Sequence, residues 1–147
     1  KVDVVVASYH GGIEYVDKPN KPTLMQLREL ADAGADIVLG HHPHVPQGIE
    51  RYKQAWIIPS LGNFVFYQPQ RFWTQVSFGC RFEFSKDSSV VSLKEITLLP
   101  LRPGFQPSFN LTGEERRELL KRLQLLSNVP ITELDNAFMV QGNVSIQ

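Results

Sequence analysis

Asp36-Ile37-Val38-Leu39-Gly40-His41-His42-Pro43-His44 decides how the rest of the chain is read. Asp36–Leu39 is a short apolar segment, too brief for a helix and suited to a buried strand. Gly40 closes it, and three of the four histidines follow within a few positions. In an open α/β sheet, ligands collect at loops leaving the carboxyl ends of strands. This loop is therefore where chemistry is expected.

Working upstream, Val2–Ser8 is a continuous β-branched run that reads as a parallel strand covered on both faces. Gly11 and Gly12 break it, and Pro19 and Pro22 punctuate the following loop. Thr23, with Gln26 three residues later, has the spacing of a capping box and predicts a helix to about Ala33. Leu24, Leu27, Leu30 and Ala31 give that helix an apolar stripe, and Gly34 stops it. Strand, helix and strand in this order form a βαβ unit with parallel strands.

Downstream the style changes to alternating segments. Ile49–Tyr52 and Ala55–Pro59 flank Lys53-Gln54 as a hairpin, and Gln75–Phe84 with Val90–Leu99 read as longer antiparallel strands. Residues 100–111, rich in Pro, Gly and Phe, predict an irregular connection. Thr112 and Glu115 repeat the capping-box spacing and open a helix to about Leu126. Leu119, Leu120, Leu123 and Leu126 should face the core, with Arg116, Arg117, Lys121 and Arg122 outward. The last ten residues are expected to be loosely held. The fold class is α/β, with one partial domain over 1–147: a βαβ unit (1–54), antiparallel strands (55–105), then helix and tail (106–147). The abrupt opening into a strand, without cap or leader, predicts a piece of something longer.

Composition bounds the function. The 147 residues are 42% hydrophobic and 20% charged, ordinary for a globular domain, and Lys plus Arg balance Asp plus Glu. A zero formal charge argues against a nucleic-acid partner, which needs excess cations to displace phosphate counterions. The single Cys80 excludes an intrachain disulfide and cysteine-based zinc sites.

Neutral imidazole ligates zinc, manganese and iron. The His-x-His spacing of His42 and His44 lets both rings reach one locale, and Pro43 stiffens the turn between them. His10 ends the first strand, so parallel pairing should bring it beside the His41–His44 loop. Glu14 could ligate a metal, orient an imidazole or sit exposed on its loop. For the histidines, the alternative is an exposed or structurally bonded cluster. Phe64, Phe66, Tyr67, Phe72 and Trp73 are expected mainly to pack in the core, with a cleft lip as the other option.

Three stretches carry a family resemblance. His10-Gly11-Gly12-Ile13-Glu14-Tyr15, the run from Ala31 through Gly48, and Pro59-Ser60-Leu61-Gly62-Asn63-Phe64-Val65-Phe66 resemble successive motifs of the CapA family of capsule and poly-γ-glutamate biosynthesis proteins. The resemblance implies the C-terminal half of a calcineurin-like metallophosphoesterase, an αββα sandwich. It implies a pair of divalent ions (Mn, Fe or Zn), with His10 and His44 as ligands and His42 or His41 as the further loop ligand, the spacing favouring His42. His10 or His41 would serve as a general acid or steady developing charge, and Asn63 would line the cleft. Carboxylate and amide ligands would come from an upstream half, so this chain alone is expected to be an incomplete dimetal site.

The implied partners are a phosphoester or polyanionic polymer, other capsule-synthesis proteins and that upstream half. The implied location is extracytoplasmic, at the cell envelope, anchored by an N-terminal segment outside this sequence, with this piece itself soluble. A non-catalytic polymer-binding or assembly role on the same fold is the alternative.

Overall fold

A computed structural model describes residues 2–146. β1 (Val6–His10), α1 (Lys21–Asp32) and β2 (Ile37–His41) form the βαβ unit. β1 and β2 pair in parallel with His10 opposite His41, and β2 pairs in parallel with β4 (Ala55–Ile58). β3 (Glu50–Tyr52) makes the expected hairpin with β4, giving the order β1-β2-β4-β3. A second sheet is antiparallel, β5 (Ser77–Asp87), β6 (Val90–Leu101), β8 (Phe138–Ile146) and β7 (Thr132–Glu133). Before it, residues 72–74 make one 3₁₀ turn.

The main core lies where Trp56 and Ile58 of the first sheet meet Phe78, Ile96, Leu98 and Phe138 of the second. Leu119, Leu120 and Leu123 of α2 (Gly113–Leu126) join the same cluster. The opposite face of the first sheet is closed by Leu27 of α1 against Val38 and Ile57. The alternation of β2 and β4 side chains between these two clusters follows from the period-2 geometry of strands. The described residues form a mixed α/β fold of two sheets and two α-helices.

Helix α2 begins as its sequence demands. Thr112 accepts from the Glu115 backbone N–H, and the Glu115 carboxylate returns to the Thr112 backbone. Helix α1 begins differently. Asn20, not Thr23, is the cap, its Oδ1 accepting from the Thr23 N–H at 3.0 Å. Starting at Lys21 puts Pro22 in the first turn, where a missing N–H costs nothing. Gln26 is thereby released from any capping role and accepts from the Tyr9 hydroxyl at 2.5 Å.

Four other expectations are corrected. β1 begins at Val6, not Val2, and is an edge strand: among the described residues it pairs with β2 alone, and Val5 before it and Val6 within it are exposed. Arg122 is buried, its Nε–H donating to the Pro46 carbonyl at 2.8 Å and its guanidinium paired with Asp17 and stacked on Trp73. Phe64, Phe66, Tyr67 and Phe72 are exposed rather than core, since the segment carrying them lies outside the strands, between β4 and β5, and only Trp73 of the group packs against the main core. The last residues are not loose through 146: β8 pairs with both β6 and β7, and Gln147 lies outside the described residues. No helix among the described residues is long and apolar enough to cross a membrane.

Candidate functional site

Three loops converge at the carboxyl ends of β1, β2 and β4. The backbone ties them: Gly11 N–H donates to the His41 carbonyl at 3.1 Å, Tyr15 N–H to Pro43 at 2.9 Å, and Gln47 N–H to Ser60 at 3.0 Å. The strand end itself is tight. A Cβ on Gly40 would overlap the Pro59 carbonyl on the adjoining chain segment, so only glycine lets β2 and the end of β4 approach this closely. Past it, His42 (φ 104°) and His44 (φ 63°) both adopt left-handed backbone that non-glycine residues avoid, as does Tyr15 (φ 61°). Such strain concentrates where a fold over-determines a working loop.

The strained turn gathers side chains. One ligating atom each of Glu14, His42 and His44 lie within 4.8 Å of one another, and His44 Nε2 is 3.9 Å from the Glu14 carboxylate. The His10 ring is 5.2 Å from His42, so the lone histidine of β1 arrives beside the loop, as its register requires. His41 turns away from the cluster of three. It lines a cavity of about 370 Å³ with Leu61, Phe64, Phe78, Cys80 and Phe109. Burial, then the neighbouring His10, hold His41 below the ordinary imidazole pKa. His41 is therefore neutral at neutral pH.

The orientation of His44 can be derived atom by atom. Asn63 is buried, and its Nδ2 donates to the Thr74 carbonyl at 3.1 Å, an acceptor with no alternative role. That fixes the amide, leaving Oδ1 facing His44 Nδ1 at 2.8 Å. His44 Nδ1 must then carry a proton, so that in the neutral ring the lone pair lies on Nε2, on the side of Glu14 and His42. The ring is packed between Tyr15, with centroids 5.9 Å apart, and Phe66, at 5.3 Å. Two imidazoles, one with its lone pair pre-aimed, and one carboxylate suit a divalent transition metal and leave coordination positions open.

Of the residues expected from the sequence, Glu14, His42 and His44 are brought together. His10 stands beside them, Asn63 braces His44, and His41 lies on the far side toward the cavity. Tyr15, Gln68 and Arg71 were not foreseen as site residues. Tyr15 belongs to the His-Gly-Gly-x-Glu-Tyr run and could have been noticed there. Gln68 and Arg71 reach the site only through tertiary folding.

Residues 1–68 match the family described as bacterial capsule synthesis protein PGA_cap. The chain is 37% identical over 102 residues to the capsule biosynthesis protein CapA of Bacillus anthracis, covering 69% of this chain and 24% of that protein. It is 32% identical over 126 residues to the PGA biosynthesis protein CapA of Bacillus subtilis, covering 86% of this chain and 32% of that protein. It is also 40% identical over 86 residues to an uncharacterised protein, y4sH, of Sinorhizobium fredii, 58% of this chain and 18% of that protein. The chain thus spans a third or less of the length of these curated relatives. The matched span contains the strand ends and loops that carry the histidines, and through it the chain belongs to the CapA family of bacterial capsule synthesis proteins.

Proposed function

We propose that this chain is the histidine-bearing part of a CapA-like protein of capsule or poly-γ-glutamate biosynthesis, acting at the cell envelope on a phosphoester through a divalent metal site. The observation that carries this reading is the convergence of Glu14, His42 and His44, with His44 locked by Asn63. A calcineurin-like sandwich, in which a pair of metals completes its ligands from chain outside residues 1–147, accommodates this arrangement.

Glu14, His42 and His44 would hold a manganese, iron or zinc ion, with His10 at hand for a second. A metal there would polarise a phosphoryl oxygen and lower the pKa of bound water. The chain's own groups supply the rest. Asn63 holds the His44 tautomer, and the strained 42–44 turn fixes ring direction before any ligand arrives. His10, exposed at the end of β1, is available to donate a proton to a leaving oxygen. His41, neutral and on the cavity side, is placed to steady developing charge through an N–H hydrogen bond rather than to give up a proton.

With one carboxylate among three donors, this chain alone is expected to bind metal without completing a dimetal hydrolase. The test is calorimetric titration of the 147-residue chain and its His44→Ala variant with Mn²⁺ and Zn²⁺. Binding abolished in the variant supports the reading. Equal binding, or none to either protein, overturns it.

A second reading has its own support. Phe64, Phe66, Tyr67, Phe105 and Phe109 are all exposed, and Tyr67 packs against Phe105 at 5.4 Å near the same sheet ends. Solvent-facing aromatics at this density suit a surface that holds a polymer or another capsule-synthesis protein. Full-length protein that binds polymer but turns over no phosphoester with metal present would favour this assembly role.

A further inference from the structure

We propose that Tyr15 is an anion-binding residue of the histidine site, its phenolic proton reserved for an oxygen of the bound phosphoryl group. This inference rests on the metal-site reading for its substrate class, and on a separate chain of hydrogen bonds for its direction.

That chain starts at a backbone carbonyl and has one possible polarity. The Thr74 carbonyl can only accept, so Asn63 presents Nδ2 to it at 3.1 Å. The second proton of the same Nδ2 goes to Gln68 Oε1 at 3.0 Å. Gln68 is thereby oriented too, and its Nε2 donates to the Tyr15 hydroxyl at 3.1 Å. The Tyr15 oxygen is an acceptor in that bond, so its own proton must go elsewhere. Among the described residues the Tyr15 hydroxyl donates to no partner.

The surroundings of Tyr15 select the ligand. Its ring lies against His44, near parallel at 27°, so the phenol borders the group that would hold the metal. The Arg71 guanidinium sits over the ring, 4.6 Å from its centroid, and takes part in no ion pair among the described residues. A donor O–H and an unpaired cation beside a metal-ligating imidazole favour an oxyanion. The left-handed backbone at Tyr15 is held by its N–H bond to Pro43, which keeps the phenol on the site side of the loop. One polar chain, anchored at Thr74, therefore sets both the lone pair of His44 and the free proton of Tyr15.

Tyr15→Phe keeps the ring, its stack on His44 and its contact with Arg71, and removes only the hydroxyl. The experiment measures Mn²⁺ binding, and then inorganic phosphate binding with and without Mn²⁺, to the 147-residue chain and to Tyr15→Phe by calorimetry. Equal Mn²⁺ affinity with phosphate bound about tenfold or more weakly by the variant is the expected result, the loss of one hydrogen bond to a charged group. Equal phosphate affinity in both proteins overturns the role of Tyr15 and leaves the metal site standing. Absence of Mn²⁺ binding, with phosphate still weakened in the variant, supports Tyr15 and sinks the metal reading. No phosphate binding by either protein under any condition overturns the proposal. Arg71→Gln, which leaves the hydroxyl chain intact, should weaken phosphate binding as well.

Discussion

Arg122 of α2 donates its Nε–H to the carbonyl of Pro46, 2.8 Å away, and so joins the C-terminal helix to the loop that carries His42 and His44. A planar guanidinium can meet that carbonyl, the Asp17 carboxylate and the Trp73 face at once, which an ammonium cannot. The helix thereby braces the histidine turn from behind, although it contributes no ligand to it.

Arg122→Ala should therefore lower the unfolding free energy by about 2–3 kcal/mol, leaving the Pro46 carbonyl unsatisfied in a buried place. Urea denaturation of the two proteins measures this. A change within experimental scatter would show that water or backbone shifts replace the bond.

Asn63→Ala removes the acceptor that holds His44 Nδ1–H. Metal affinity should fall about 10–100-fold, as when an orienting partner of a ligating histidine is lost. Titration with Mn²⁺ reads the effect, and circular dichroism establishes that both proteins are folded. Unaltered affinity would mean that the Tyr15 and Phe66 rings alone orient His44.

Gly40→Ala forces a Cβ into the Pro59 carbonyl, and neither backbone can give way without parting β2 from the end of β4. Stability should drop by about 1–3 kcal/mol. The metal titration should weaken in parallel, because the histidine turn starts two residues later. A stable variant that binds metal normally would contradict the close approach.

His41 carries a pH signature. Its native pKa is depressed by burial and by His10, so below about pH 6.5 the unfolded chain takes up a proton that the folded one refuses. The stability contribution is full above that pH. It is lost as pH falls from there toward the lowered native value. Thermal melts across this range should show an acid-side decline that is smaller in His41→Asn. Parallel pH profiles for the two proteins would remove His41 as the source.

Much of this was legible in the residues. The βαβ unit, the hairpin and the capping box at Thr112 depend on local spacing, and each formed, although β1 runs from Val6 to His10 rather than from Val2. Parallel register followed from topology and delivered His10 to His41. The start of α1 was misread because Asn20 and Thr23 are both competent caps, and what chose between them was the position of Pro22. Arg122 was misassigned because a helical wheel marks charge as outward and cannot see a carbonyl 76 positions away in sequence. The exposure of β1 depends on which layer lies over it, which its own β-branched run does not record. Glu14 and Asn63 were named, but their work is set by distances that only the folded loops define.

The left-handed turn at His42 and His44 has a consequence for the evolution and engineering of this domain. Glycine would be the relaxed backbone occupant of both positions, but only at His42, whose ring makes no hydrogen bond among the described residues, should substituting it raise the melting temperature while erasing a candidate ligand. Stability and ligation therefore pull in opposite directions at this residue. A search for tougher variants that screens only for heat resistance will drift toward sequences that fold better and bind nothing.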